Sequence, residues 1–142
     1  YLLHAQTCSE YIEQYNLLYT EAGDLLFRMG QYHWQRGENE QVKSLHQRAL
    51  AIREQVLGSE HVQTANSLNE LALLYSNQGK YEEAEPLYQR ALTIREKVLP
   101  PDHPDIASSL ENYANLLRRM NRSTEATLLK ERAKEIRAKR SN

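Results

Sequence analysis

His4 and Cys8 lie four residues apart, a spacing that sets two side chains on one face of a helix and could hold a soft metal ion. Nothing nearby completes a ligand set, so a structural role is expected for both. His61 and His103 recur in equivalent turns, where capping or packing is the expected role. His33 and His46 have no Ser, Cys or Asp partner at a recognisable spacing. The five glycines are scattered and form no loop that could cradle a phosphate. The pair Glu82-Glu83 falls near a helix N-terminus, where carboxylates complement the helix dipole. No motif argues for catalysis, a metal or a cofactor, and the chain is expected not to be an enzyme.

The elements that would position these residues come from a repeat of 42 residues. Gln47, Arg48, Ala49, Leu50, Ile52, Arg53, Glu54, Val56, Leu57 and His61 reappear as Gln89, Arg90, Ala91, Leu92, Ile94, Arg95, Glu96, Val98, Leu99 and His103. A weaker third copy carries Leu110, Ala114, Leu116, Ala126, Leu129, Ala133, Ile136 and Arg137 at the places of Leu68, Ala72, Leu74, Ala84, Leu87, Ala91, Ile94 and Arg95. A fixed period of this length marks stacked supersecondary units, each burying its apolar face against the next.

Every period reads as two helices and a turn. In the middle copy Val62, Ala65, Leu68, Leu71, Ala72 and Tyr75 share one stripe at three- and four-residue spacing. Gly79 breaks the pattern, and Tyr81, Ala84, Leu87, Tyr88, Ala91, Leu92, Val98 and Leu99 form a second stripe. The turn residue is Gly37, Gly79 and then Asn121, glycine and asparagine being the two residue types that most readily take positive φ. Gly58 closes the second helix of the first copy and Pro100-Pro101 that of the middle copy. Pro104 opens the next helix, with Asp102 or His103 as its cap. Pro86 falls inside a helix and is expected to bend it. Alanines at the shared sites mark close helix approach; Gly30 and Val42 depart from them.

Bulk properties narrow the function classes. At 142 residues the chain is one domain of ordinary size with a net charge of −1. That balance argues against a nucleic-acid binder or a membrane-surface protein, which need excess positive charge. No apolar run approaches the ~20 residues of a membrane span. Cys8 is the single cysteine, so no internal disulfide forms and a cytoplasmic setting fits. The chain begins at Tyr1 and reads as a piece of a longer protein. Its last helix, with Lys130, Arg132, Lys134, Arg137, Lys139 and Arg140 among glutamates, reads as a solvated closing helix.

Residues 68–92, with their alternation of bulky, small and aromatic side chains, resemble a tetratricopeptide repeat. The 42-residue period and the Asp102-His103-Pro104 junction are similar to the variety found in kinesin light chains and many bacterial signalling proteins. The resemblance covers about residues 21 to 138. It implies an all-α, right-handed superhelical stack of three antiparallel helix pairs plus an N-terminal capping helix. The divisions are 1–19 for the capping helix, 20–61, 62–103 and 104–142 for the repeats, the last including a C-terminal cap.

The resemblance also implies a concave surface, lined by the first helix of each pair, that binds a protein or peptide segment. Carried over by position, the candidates are Phe27, Gln31 and Trp34, then Asn66, Asn69, Leu73 and Asn77, then Glu111, Asn112, Asn115, Arg118 and Arg119. Asparagine is a poor helix former, yet five occupy two first helices. A row of amides could grip a peptide backbone, or could bond between neighbouring helices. Phe27 and Trp34, two turns apart, could form an anchor pocket, although burial against the capping helix is the expected outcome. Arg118, Arg119 and Arg122 give one end positive character, which favours an acidic partner. The function so implied is a protein–protein interaction scaffold. The competing reading is a structural spacer or self-assembly segment of a larger signalling protein, joined through its terminal helices.

Overall fold

A computed structural model describes residues 2–142, except for the side chains of residues 2–9, 11–13 and 16. His4 and Cys8, and the apolar residues Leu2, Leu3, Tyr11 and Ile12 assigned to a cap, have side chains outside the described set. Six helices account for the regular structure: α1 (Leu2–Gln35), α2 (Asn39–Leu57), α3 (Val62–Asn77), α4 (Tyr81–Val98), α5 (Pro104–Arg119) and α6 (Ser123–Ser141). The chain divides into two compact units, Tyr1–Ser59 with α1 and α2, and Glu60–Asn142 with α3 to α6. The all-α paired-helix architecture expected from the period is the one observed.

The repeat is visible in the backbone. Gly37, Gly79 and Asn121 have φ of 75°, 78° and 62°. At each, two N–H groups turn back onto the preceding helix: Gly79 to the Ser76 carbonyl and Lys80 to the Tyr75 carbonyl, with the same pair at Asn121 and Arg122. These bonds satisfy the last carbonyls of the first helix and reverse the chain. The entry to the next pair also repeats. His61 and His103 cap α3 and α5, their Nδ1 atoms accepting from the N–H of Gln63 at 3.0 Å and of Asp105 at 3.1 Å.

In the second unit α3 packs on α4, α4 on α5, and α5 on α6, so two pairs stack. Ala72, Ala84, Ala114, Ala126 and Ala133 are all but solvent-free, with Tyr88, Leu110, Leu116, Leu117 and Ile136 packed around them. Small side chains here let helix axes approach, and a larger one would strain the pair. Tyr88 and Tyr113 stack with ring centroids 6.5 Å apart across α4 and α5. The Tyr113 hydroxyl donates to Glu85 and accepts from Gln89, each at 2.8 Å. α4 runs on unbroken through Pro86, whose ring is exposed. Only one N–H is lost there, on the solvent side.

The first unit uses different residues at the same sites. Gly30 and Val42 stand where the second unit has Ala72 and Ala84, and buried His46 where it has Tyr88. A methyl group at Gly30 would lie 2.7 Å from the His46 ring, so the glycine is the space the imidazole needs. Residues 2–19 and the first helix of the first pair are one uninterrupted helix, not a cap followed by a separate element. No residue with positive φ interrupts them, and Gly23 and Gly30 lie in mid-helix.

Candidate functional site

The first helices α3 and α5 carry most of the residues singled out for partner binding. Asn66, Asn69, Leu73 and Asn77 follow at three- and four-residue steps on α3, and Glu111, Asn115 and Arg118 do so on α5. Two links join the helices. Asn112 Nδ2 donates to Asn69 Oδ1 at 3.4 Å, and Arg119 Nη1 donates to the Ser76 carbonyl at 3.2 Å and to Asn77 Oδ1 at 3.4 Å. Asn69 is buried, Asn66 and Asn112 are half-buried, and Asn77 and Asn115 are exposed. The amide carbonyls of Asn66, Asn69 and Asn77 therefore bond within the chain, while Asn115 stands in solvent.

Asn66 is held by an arginine from the second helix of its own pair. Arg95 Nη2 donates to Asn66 Oδ1 at 2.8 Å, and Nη1 donates to Ser109 Oγ at 2.6 Å and to the Asp105 carbonyl at 3.2 Å. Arg95 is buried, and burial pushes its guanidinium below the usual range, with Asp105 and Glu70 acting against that shift. Burial raises the carboxyl of neighbouring Glu70, and Arg95 opposes the rise. The same arginine recurs in each repeat. Arg53 meets Asp24 at 2.9 Å, and Arg137 grips Glu111 through two bonds of 2.9 Å while reaching Ser108 at 3.4 Å. Asp24, Asn66 and Ser108 are themselves equivalent positions of the repeat. Arg137 holds the Glu111 carboxyl below the ordinary carboxylate range. Sequence reasoning did not assign this role, although Arg53, Arg95 and Arg137 were among the repeating identities.

Charge is left open at one end of the face. Arg122 is absorbed, with Nη1 on Glu85 at 2.7 Å and Nε and Nη2 on Glu125 at 2.9 and 2.7 Å, so Glu125 and then Glu85 raise its guanidinium. Arg118 and Arg119 are exposed in the last turn of α5, and neither has a carboxylate within the second unit's ion pairs. A shallow depression of ≈ 340 Å³ is lined by Glu111, Asn115, Lys130 and Lys134.

The candidates of the first unit are placed differently. Phe27 is half-buried between α1 and α2, edge-on to His46 with centroids 5.3 Å apart and under the Arg53 guanidinium at 4.4 Å. Its cover comes from α2 and not from a separate capping helix. Trp34 is half-buried and Gln31 is exposed. Burial pushes the His46 imidazole down to about 4, with Arg53 adding to the shift. Among the described residues no group of three or more His, Cys, Asp or Glu side chains comes together to hold a metal, and no helix is long and apolar enough to cross a membrane.

The tetratricopeptide repeat model matches residues 19–97 and again 64–139. No curated protein sequence matches the chain. Among solved structures, BtubC (BKLC) from P. vanneervenii is similar at a TM-score of 0.81 and 20% identity, over 96% of this chain and 55% of that one. A Podosopora anserina protein described as a kinesin light chain of nearly identical TPR-like repeats is similar at a TM-score of 0.75 and 26% identity, over 85% of this chain and 57% of that one. MamA is similar at 0.68 and 18%, over 93% and 68%. The chain thus spans little more than half the length of the first two. On the matched models and the repeated helix pairs together, this chain belongs to the tetratricopeptide-repeat family, in its kinesin-light-chain-like form.

Proposed function

We propose that the chain is an interaction module that holds an acidic, extended segment of a partner protein along the α3–α5 face. The family is one of protein-interaction scaffolds, and nothing in its fold calls for catalysis. The observation that carries the finer reading is the pair Arg118 and Arg119, exposed and without carboxylate partners, beside exposed Asn115 and Asn77. Guanidinium groups bind carboxylates through two parallel N–H donors, and an amide can meet both a peptide N–H and a peptide carbonyl. Asn66 and Asn69 act on this reading as struts that fix the helices; Asn115 and the amino group of Asn77 do the contacting, the Asn77 carbonyl being held by Arg119. A single cysteine and near-neutral charge suit a cytoplasmic setting.

The test uses a set of unstructured peptides that differ only in Glu and Gln content. The acidic members should bind at least ten-fold more tightly than the neutral ones, with affinity falling as salt rises. Arg118→Ala combined with Arg119→Ala should remove that preference and its salt dependence, leaving the far-UV circular dichroism unchanged. Equal binding of acidic and neutral peptides by the unaltered chain, indifferent to salt, would sink the proposal.

A further inference from the structure

α1 has a second face that its own pair leaves bare. Tyr15, Leu18, Ala22, Leu25, Met29 and Tyr32 follow at alternating three- and four-residue steps, the rhythm of a two-helix seam. Tyr15, Leu18, Leu25, Met29 and Tyr32 are 55%, 57%, 60%, 39% and 55% exposed. α2 lies on the other side of the helix, against Gly23, Asp24, Phe27 and Gly30. Because α1 is continuous from Leu2, the residues before Tyr15 run along its axis and cannot fold over the seam.

The repeat register identifies what kind of element such a face takes. Ala22, Leu25, Met29 and Tyr32 correspond to Ile106, Ser109, Tyr113 and Leu116 of α5, all buried. There the cover is a helix: Tyr113 stacks on Tyr88 of α4, and Ser109 bonds Arg95 of α4. A helix is therefore the occupant that fits α1, and exposed apolar surface of this extent is costly to leave in water.

Charge selects which helix. An α6-like surface does not suit, because α6 carries Lys130, Lys134 and Arg137 where α4 meets its neighbour with Tyr88, Leu92 and Arg95. Ammonium groups laid on an apolar seam would lose their hydration without a partner. A second α1 does suit, provided it runs antiparallel. Tyr15 then faces Tyr32 of the second copy, Leu18 faces Met29, and Ala22 faces Leu25, so a small side chain meets a large one at the centre. On the open flank Glu21 comes opposite Arg28 of the second copy, and Arg28 opposite Glu21, both residues being exposed. In a parallel pair Glu21 would meet Leu26 instead, and that complementarity would vanish.

We propose that two copies of the chain associate through α1 as an antiparallel, two-fold symmetric seam centred between Ala22 and Leu25, flanked by reciprocal Glu21–Arg28 ion pairs. The contact is isologous and closes on itself, so it ends at the dimer. A seam of about 26 Å is short, which puts the dimer among the concentration-dependent ones.

Sedimentation of the full chain over a hundred-fold range of concentration tests this. A reversible monomer–dimer equilibrium is expected. Leu25→Lys should weaken it at least a hundred-fold, since each dimer loses two central apolar contacts. Glu21→Arg and Arg28→Glu should each weaken it several-fold by opposing like charges, and the two combined should restore it, a result only the antiparallel register gives. All three positions are exposed, so helicity by circular dichroism should hold; the charge-reversal pair decides the matter even if Leu25→Lys fails to fold. A monomer at every concentration, assemblies that keep growing, a dimer indifferent to Leu25→Lys, or a double reversal that restores nothing would each overturn the proposal.

Discussion

Arg53 in the first unit and Arg95 in the second stand at the same place in the repeat, are both buried, and are held in different ways. Arg53 has a carboxylate, Asp24, and the face of the Phe27 ring. Arg95 has an amide, a hydroxyl and a backbone carbonyl. The same shape of cavity thus accepts a cation stabilised by an ion pair or by a cradle of neutral oxygens. The repeat preserves the steric frame, while the electrostatics around it are chosen locally. A neighbouring position shows the same freedom, with His46 in one unit and Tyr88 in the other.

The contrast at His46 and Tyr88 should give the largest effect. The unfolded chain protonates this imidazole near its ordinary value of 6.5, whereas the folded chain resists until about 4. Stability of the first unit is therefore full above the ordinary value and falls as pH drops through that window, by about 3 kcal/mol if the whole shift is realised. Burial raises the Tyr88 phenol instead, so its site does not titrate in the acid range. Trp34 is the chain's single tryptophan and sits on α1, so its fluorescence reports the first unit while far-UV circular dichroism reports all six helices. Acid loss seen equally by the two signals, or abolished by no substitution at His46, would break the comparison.

Methionine at each arginine should give the next effect. Arg53→Met strands the Asp24 carboxylate and removes the cation from Phe27, at a cost of about 2 kcal/mol. Arg95→Met breaks no hydrogen-bonded ion pair, but it takes from Glu70 the cation that opposes its burial and from Asn66 and Ser109 their donor. Relief of the desolvation of a buried cation acts the other way, so a net change within about 1 kcal/mol is expected. Urea unfolding read by the two signals distinguishes them, and equal losses would mean that the nature of the partner is irrelevant.

The smallest effects should be the same in both units. Gly37→Ala and Gly79→Ala place a side chain at positive φ with open space around it, so the cost is one of backbone conformation alone, about 1 kcal/mol each. Thermal unfolding of the two variants checks this; a marked difference would show that the turns are not equivalent after all.

Much of the frame could be read from residue types because its causes are local. A residue that tolerates positive φ was needed between helices, and Gly37, Gly79 and Asn121 supply it. A capping acceptor was needed before α5, and His103 supplies it. Gly30 departs from the alanine of the other repeats for a reason that lies in its neighbour: the His46 ring fills the space a side chain would need. The binding face was less legible. Asn66, Asn69 and Asn77 share the composition expected of contact residues, yet their carbonyls are engaged by Arg95, Asn112 and Arg119. Those partners lie more than twenty-five residues away in sequence, and no local pattern says which amide meets which guanidinium.

Periodicity, turn residues and helix caps are set by backbone sterics and by bonds between near neighbours, so the order of amino acids alone determined three helix pairs, their turns and the interval between them. The fusion of the expected capping helix with the first helix of the first pair came only from the fold. Which polar side chains are spent inside the molecule depends on distances between helices that meet only after folding. That is why the tertiary structure decided that the Asn66 amide is bonded by Arg95, that Arg122 is paired with carboxylates while Arg118 and Arg119 are not, and that one apolar stripe of α1 has no cover from α2.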